Sequence, residues 1–148
     1  MIYLGLDYGE RRIGVAASDE TELIAEPLGF IPAIGYKQIK TKILEYLAET
    51  RAGEIVVGLP ITTKNEVGKQ AQVVLAFVEK LRKNVPCKVV TWDERFTTKE
   101  ADRILRETET SIDDRKTRRD ALAAQFMLQN YLDYQRIKKT NVQNNQTG

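Results

Sequence analysis

The chain has 148 residues, enough for one domain of ordinary size and too few for two full ones, so a single core is expected. Hydrophobic residues make up 42% and charged residues 30%, which describes a globular chain with a sizeable interior and excludes collagen-like, coiled-coil and mucin-like architectures. Lys and Arg number 23 against 21 Asp and Glu, a net charge of +2, so a nucleic-acid or membrane partner has to be argued from local clusters.

In chain order, Ile2 to Leu6, Ile13 to Ala17 and Leu23 to Ile31 are apolar pieces separated by the turn-like Asp7-Tyr8-Gly9-Glu10 and Ser18-Asp19-Glu20. Such short connections predict a three-stranded antiparallel meander, with Pro27 marking the third strand as an edge because proline cannot donate a ladder hydrogen bond. Ile39, Ile43 and Leu47 then recur at helical spacing, and Glu54 to Gly58 reads as a buried strand ending in Leu59-Pro60. Val67, Ala71, Val74, Val78 and Leu81 form one face of a second helix, which Pro86 ends. Lys88 to Trp92 is a further strand. Thr97 and Glu100 make a capping box opening a helix that turns Ala101, Ile104 and Leu105 inward. Glu107 to Arg119 is polar and without period and reads as a loop. A last helix is expected over about Asp120 to Tyr134, with Ala121, Ala124, Leu128 and Tyr131 on one face. Residues 138–148 read as a disordered tail, which leaves residues 1–137 as the domain. The order predicts an α/β fold, a mixed five-stranded sheet with helices on both faces.

No apolar run approaches the roughly 20 residues of a membrane-spanning helix, and the first residues lack the basic start of a signal peptide, so the expected location is cytoplasmic. The sequence contains no histidine, which excludes serine–histidine hydrolases and zincins. Cys87, the one cysteine, cannot form an intramolecular disulfide and reads as a small apolar residue. The candidates for chemistry are acids. Asp7 ends the first strand, Glu94 follows the fifth, and Asp120 opens the last helix. If the first and fifth strands run parallel, Asp7 and Glu94 emerge at the same carboxyl edge, where open sheets place ligands. Carboxylates converging without histidine make a hard, oxygen-only site suited to Mg²⁺ or Mn²⁺ and to in-line phosphodiester displacement. Each acid also has a plainer reading: Asp7 as a turn residue, Glu94 as a solvated loop acid, Asp120 as a favourable charge at a helix start.

Four segments together resemble the bacterial YqgF family, also called RuvX: Asp7 to Ala16, Val57-Gly58-Leu59-Pro60, Asp93 to Thr98, and Asp120 to Ala124 with Leu128 to Leu132. The resemblance runs in unbroken order from about Ile2 to Asp133. It implies an RNase H-like fold and assigns the family's acidic triad, both catalytic and metal-binding, to Asp7, Glu94 and Asp120. The implied activity is that of a metal-dependent endonuclease processing the 5′ end of pre-16S rRNA, with resolution of four-way DNA junctions as the older assignment. Two stretches depart from the family pattern: Ile61 to Asn65 after Pro60, and Lys116-Thr117-Arg118-Arg119, where the family often has Lys-Gly-Lys.

Lys116, Arg118 and Arg119 form a basic cluster just before the third acid and read as phosphate-binding, against the alternative of a solvated loop. Arg12 and Arg95 either grip phosphate or pair with an acid of the triad. Trp92 and Phe96 read as core residues rather than base-stacking platforms. Gly5, Gly9 and Gly14 do not form a dinucleotide fingerprint. Competing functions are a sugar-kinase or actin-like phosphate-binding domain, which needs two domains and usually Thr or Ser where Glu10 stands, and a non-catalytic nucleic-acid or ribosome-assembly binding module. The expected partners are precursor rRNA, branched DNA or ribosomal precursor particles and no membrane, with the chain a monomer or weak dimer.

Overall fold

The computed structural model describes residues 1–60, 68–94 and 112–147, with side chains of the last stretch described for 120–141. Strands β1 (Tyr3–Tyr8), β2 (Arg12–Ser18) and β3 (Ala25–Pro32) form the antiparallel meander, and β4 (Glu54–Leu59) and β5 (Lys88–Asp93) complete the sheet. Its order is β3-β2-β1-β4-β5, with β4 parallel to both β1 and β5. The helices among the described residues are α1 (Tyr36–Thr50), α2 (Lys69–Asn84) and α3 (Ile112–Thr147). β3 lies at an edge as Pro27 requires, although it starts at Ala25 rather than Leu23. The predicted inward face of α2 is buried at Ala71, Val74, Val78 and Leu81, while Val67 and the capping-box helix from Thr97 lie outside the described residues.

Successive strand residues point to opposite faces, so one sheet builds two cores. Leu4, Leu6, Ile13, Val15, Ile55 and Val57 bury against Ile39, Ile43 and Leu47 of α1 and Val74, Phe77, Val78 and Leu81 of α2. Ala16 and Val56, on the other side, bury against Ala124, Met127, Leu128, Tyr131 and Leu132 of α3. This double burial is why β4 reads as the uninterrupted apolar run Ile55-Val56-Val57. The side-chain amide of Gln129 ties α3 to the β2–β3 connection, accepting from the Ala25 N–H at 2.8 Å and donating to the Leu23 carbonyl at 2.8 Å. No helix among the described residues is long and apolar enough to cross a membrane.

The last helix departs from expectation at both ends. The segment from Ile112 to Arg119, expected as loop, is helical, and the helix continues to Thr147 through the stretch expected as a disordered tail. A stretch that is polar all round shows no apolar period, so periodicity misses it. At the other end, Lys139 pairs with Glu22 at 3.5 Å, which holds the extension against the β2–β3 connection.

Candidate active site

The carboxyl ends of β1, β4 and β5 lie side by side, because β1 and β5 both run parallel to β4. Along β1, Leu4 and Leu6 enter the α1/α2 core, whereas Gly5 packs on Leu128 of α3, so alternation turns Asp7 to the α3 face. On β4, Val56 faces α3, and Gly58 follows on the same side. On β5, Trp92 packs in the α3 core, and Glu94 comes one residue past the strand's end. The sheet therefore delivers Asp7, Gly58 and Glu94 to one corner from three neighbouring strands.

Two glycines make that corner. A Cβ placed on Gly58 would overlap the Glu94 carboxyl, so the missing side chain is the space Glu94 fills. Gly14 is the cross-strand partner of Asp7, and a Cβ there would lie 2.6 Å from the carbonyl carbon of Asp120 and collide with its oxygen. The backbone of α3 thus touches the sheet directly beside Asp7. Sequence reasoning gives neither glycine a role; the available signal is a glycine inside an otherwise apolar strand, which marks close approach of another group.

Burial pushes the Glu94 carboxyl up from its ordinary range to about 9, with the hydrogen bond and negative charge of Asp7 and the charge of Asp93 acting in the same direction. Glu94 therefore favours its protonated form at neutral pH, hydrogen-bonded to Asp7. Two acids held together in a half-buried corner are the arrangement that a cation relieves, since a positive ion removes the repulsion that the proton otherwise suppresses. The donor set fits a hard divalent ion: it is carboxylate oxygen, and Cys87 sits half-buried against the α1/α2 core with its thiol pKa raised by burial. Among the described residues, no three or more His, Cys, Asp or Glu side chains stand close enough together to hold a metal ion. The structure thus unites Asp7 with Glu94, and it brings Asp120 to the same face through its backbone rather than into one carboxylate cluster. Asp120 lies well inside α3, not at its start, which removes the reading of this acid as a simple helix-end charge.

The other candidates divide. Arg12 starts β2, and its guanidinium lies 5.6 Å over the ring of Phe30, the residue opposite Gly14 on β3, so it is held at the acidic end of the sheet. Lys116, Arg118 and Arg119 belong to α3 by backbone, with side chains outside the described residues; Arg95, Phe96 and residues 61–67 lie outside them altogether. Trp92 packs in the core as expected, its ring centroid 5.6 Å from Tyr131 and 5.1 Å from Tyr134.

Known proteins resemble this chain along most of its length. The chain is 39% identical over 133 residues to a Roseiflexus sp. (strain RS-1) protein named "Putative pre-16S rRNA nuclease", covering 90% of this chain and 94% of the relative. It is 42% identical over 139 residues to a protein of the same name from Thermoanaerobacter pseudethanolicus, covering 93% and 100%. Among solved structures, Thermus thermophilus RuvC in complex with a Holliday junction substrate superposes with a TM-score of 0.59 at 18% identity, over 93% of this chain and 96% of that one. The fowlpox virus resolvase bound to Holliday junction DNA gives 0.52 at 14%, over 90% and 98%. These two likenesses show the fold, which is that of the RNase H-like resolvases. The family model described as "RuvX: Holliday junction resolvase" matches residues 1–134, most of the chain, and the chain belongs to that family.

Proposed function

We propose that this protein is a metal-dependent endonuclease that hydrolyses phosphodiester bonds at the 5′ end of precursor 16S rRNA, with Asp7, Glu94 and Asp120 as its acidic triad. The observation carrying this reading is the half-buried, hydrogen-bonded Asp7–Glu94 pair at the carboxyl edge of β1 and β5, built around the gap at Gly58. Relatives about 40% identical along nine-tenths of the chain, named for that rRNA, support the substrate.

In this reading Asp7 and Glu94 hold Mg²⁺ or Mn²⁺, joined by Asp120 from a backbone already packed beside the partner of Asp7. When bound, the divalent ions supply Lewis-acid stabilisation of the phosphate and a more acidic water. A cation competes with the proton that Glu94 holds, so cation affinity rises with pH. The gap at Gly58 and the hydrogen bond between Glu94 and Asp7 hold these carboxylates in advance, which limits the cost of organising them around the ion. Arg12, stacked on Phe30, presents a fork that can grip a phosphate flanking the scissile bond, and Arg95, Lys116, Arg118 and Arg119 extend that grip.

The test is incubation of the protein with precursor rRNA ends and with synthetic four-way DNA junctions, each with Mg²⁺, Mn²⁺ or EDTA. Cation-dependent cleavage of the rRNA is expected. Cleavage of junctions alone would transfer the protein to DNA resolution, and binding without cleavage under every condition would leave a binding module.

A further inference from the structure

α3 lies on the sheet over two positions that carry no side chain. Gly14 admits the Asp120 backbone, and at Gly5 of β1 a Cβ would stand 3.0 Å from that of Leu128. Around these two points the contact is apolar, with Ala16 and Val56 meeting Ala124, Met127 and Leu128. Apolar contact is non-directional, so it presses the helix down without fixing where the helix stops along its axis. Hydrogen bonds fix it, because they weaken steeply away from their short, straight geometry. Three of them gather at the start of β3. Ala25, only 1% exposed, gives its N–H to the Gln129 side-chain oxygen at 2.8 Å, and its carbonyl accepts from the Gln125 amide at 3.0 Å. Gln129 also donates to the Leu23 carbonyl at 2.8 Å and to Asp133, one turn further on, at 3.1 Å.

We propose that Gln129 is a positioning residue for the nuclease: with Gln125 it sets the axial stop of α3, and through the helix it sets how far Asp120 reaches toward Asp7 and Glu94. The proposal rests on the reading of Asp120 as the third acid and deepens it. Ala25 pairs with Ser18, at the end of the β1–β2 hairpin opposite its turn, whereas Asp7 and its partner Gly14 lie toward the turn. Gln129 therefore grips the far end of the sheet while Asp120 stands at the acidic one. The nine residues from Asp120 to Gln129 span about 13.5 Å of helix, a rod too short and stiff to absorb a shift. A slide by one residue's rise would carry Asp120 about 1.5 Å along the sheet and pull the Gln125 and Gln129 bonds out of alignment. Packing alone calls for no amide at position 129. An amide there matches one N–H and one carbonyl of another strand, and so records a position along the axis. Leu128 to Leu132, the part of the fourth matched segment without an acid of the triad, thereby gains a role.

The test uses the full chain with Gln129→Met, which keeps the length of the side chain and deletes its amide. Hydrogen exchange at the Ala25 amide, Mn²⁺ affinity without nucleic acid, read by electron paramagnetic resonance of the free ion, and single-turnover cleavage of saturating precursor rRNA are measured together. Gln129→Met is expected to unprotect the Ala25 amide and to weaken Mn²⁺ binding about tenfold, or about 1.4 kcal/mol. Saturated cleavage should slow by about ten- to a hundredfold, the effect of a misplacement of about 1 Å, while RNA affinity in EDTA holds. Gln125→Met removes a single bond to Ala25, so it should do the same to a smaller extent and keeps the test open if Gln129→Met does not fold. In an Asp120→Asn background Gln129→Met should cost no further Mn²⁺ affinity, because its effect runs through Asp120. Ile43→Val lowers the Tm from the core on the other face of the sheet and should leave Mn²⁺ affinity and saturated rate unchanged. Wild-type Mn²⁺ affinity and rate in a folded Gln129→Met chain whose Ala25 amide exchanges freely would overturn the proposal. Equal losses in the Asp120→Asn and wild-type backgrounds would overturn it as well. Absence of cleavage of any nucleic acid by the wild type, with Mn²⁺ affinity still coupled between Gln129 and Asp120, would instead overturn the nuclease reading and leave the positioning role standing.

Discussion

The Glu94 carboxyl rests in the gap that Gly58 leaves on the neighbouring strand, so a glycine in β4 determines where an acid beyond β5 can sit. Gly58→Ala is therefore expected to push Glu94 away from Asp7 while changing nothing else about the donor set. Overpacking of this kind costs about 1–3 kcal/mol. Cleavage should fall by more than tenfold at temperatures where circular dichroism still reports a folded chain; full activity in a folded variant would mean that Glu94 does not need this seat.

Stability should fall as pH rises through neutrality. Glu94 is held protonated in the fold, with its pKa pushed from 4.5 to about 9, so the folded chain keeps a proton that the unfolded chain releases. That contribution is fully present below about pH 4.5 and is lost as pH approaches 9. Glu94→Gln cannot ionise, and its Tm should exceed that of wild type at pH 8 by roughly 2–4 °C for each kcal/mol relieved, with a flatter dependence on pH. Mg²⁺ should raise the wild-type Tm at pH 8 more than that of the variant. Parallel pH profiles for the two chains would show that Glu94 ionises normally.

Asp7→Asn should abolish cleavage and leave nucleic-acid binding intact, or tighten it without metal. The change deletes a hard ligand and at the same time removes a negative charge that repels phosphate. Single-turnover cleavage and filter binding in EDTA measure the two effects separately. Unchanged turnover in a clean preparation would falsify the carboxylate-metal mechanism.

The basic residues at the start of α3 should act on binding rather than on chemistry. Replacing Lys116, Arg118 and Arg119 together by Ala should flatten the salt dependence of binding by about 0.7 to 0.9 for each phosphate no longer neutralised, depending on strandedness. Cleavage at saturating substrate should change little. A large fall in that saturated rate would place one of these cations on the charge developing at phosphorus.

The strands and the two central helices were legible in the sequence because each buries a face whose period shows directly: two for β1 and β2, three to four for Ile39, Ile43 and Leu47. The convergence of Asp7 and Glu94 was legible because both stand at the ends of strands expected to run parallel. The helical starts and ends of α3 were not legible, since a helix that is polar all round carries no periodic mark and is held by long-range pairs such as Lys139 with Glu22. The depth of the corner was also decided by the tertiary structure alone. That Gly58 makes room for Glu94, that Gly14 admits the Asp120 backbone, and that Glu94 consequently hydrogen-bonds Asp7 all depend on which strands are neighbours. Local sequence sets the faces of each strand, but proximity between residues distant in the chain exists only once the sheet order β3-β2-β1-β4-β5 has formed.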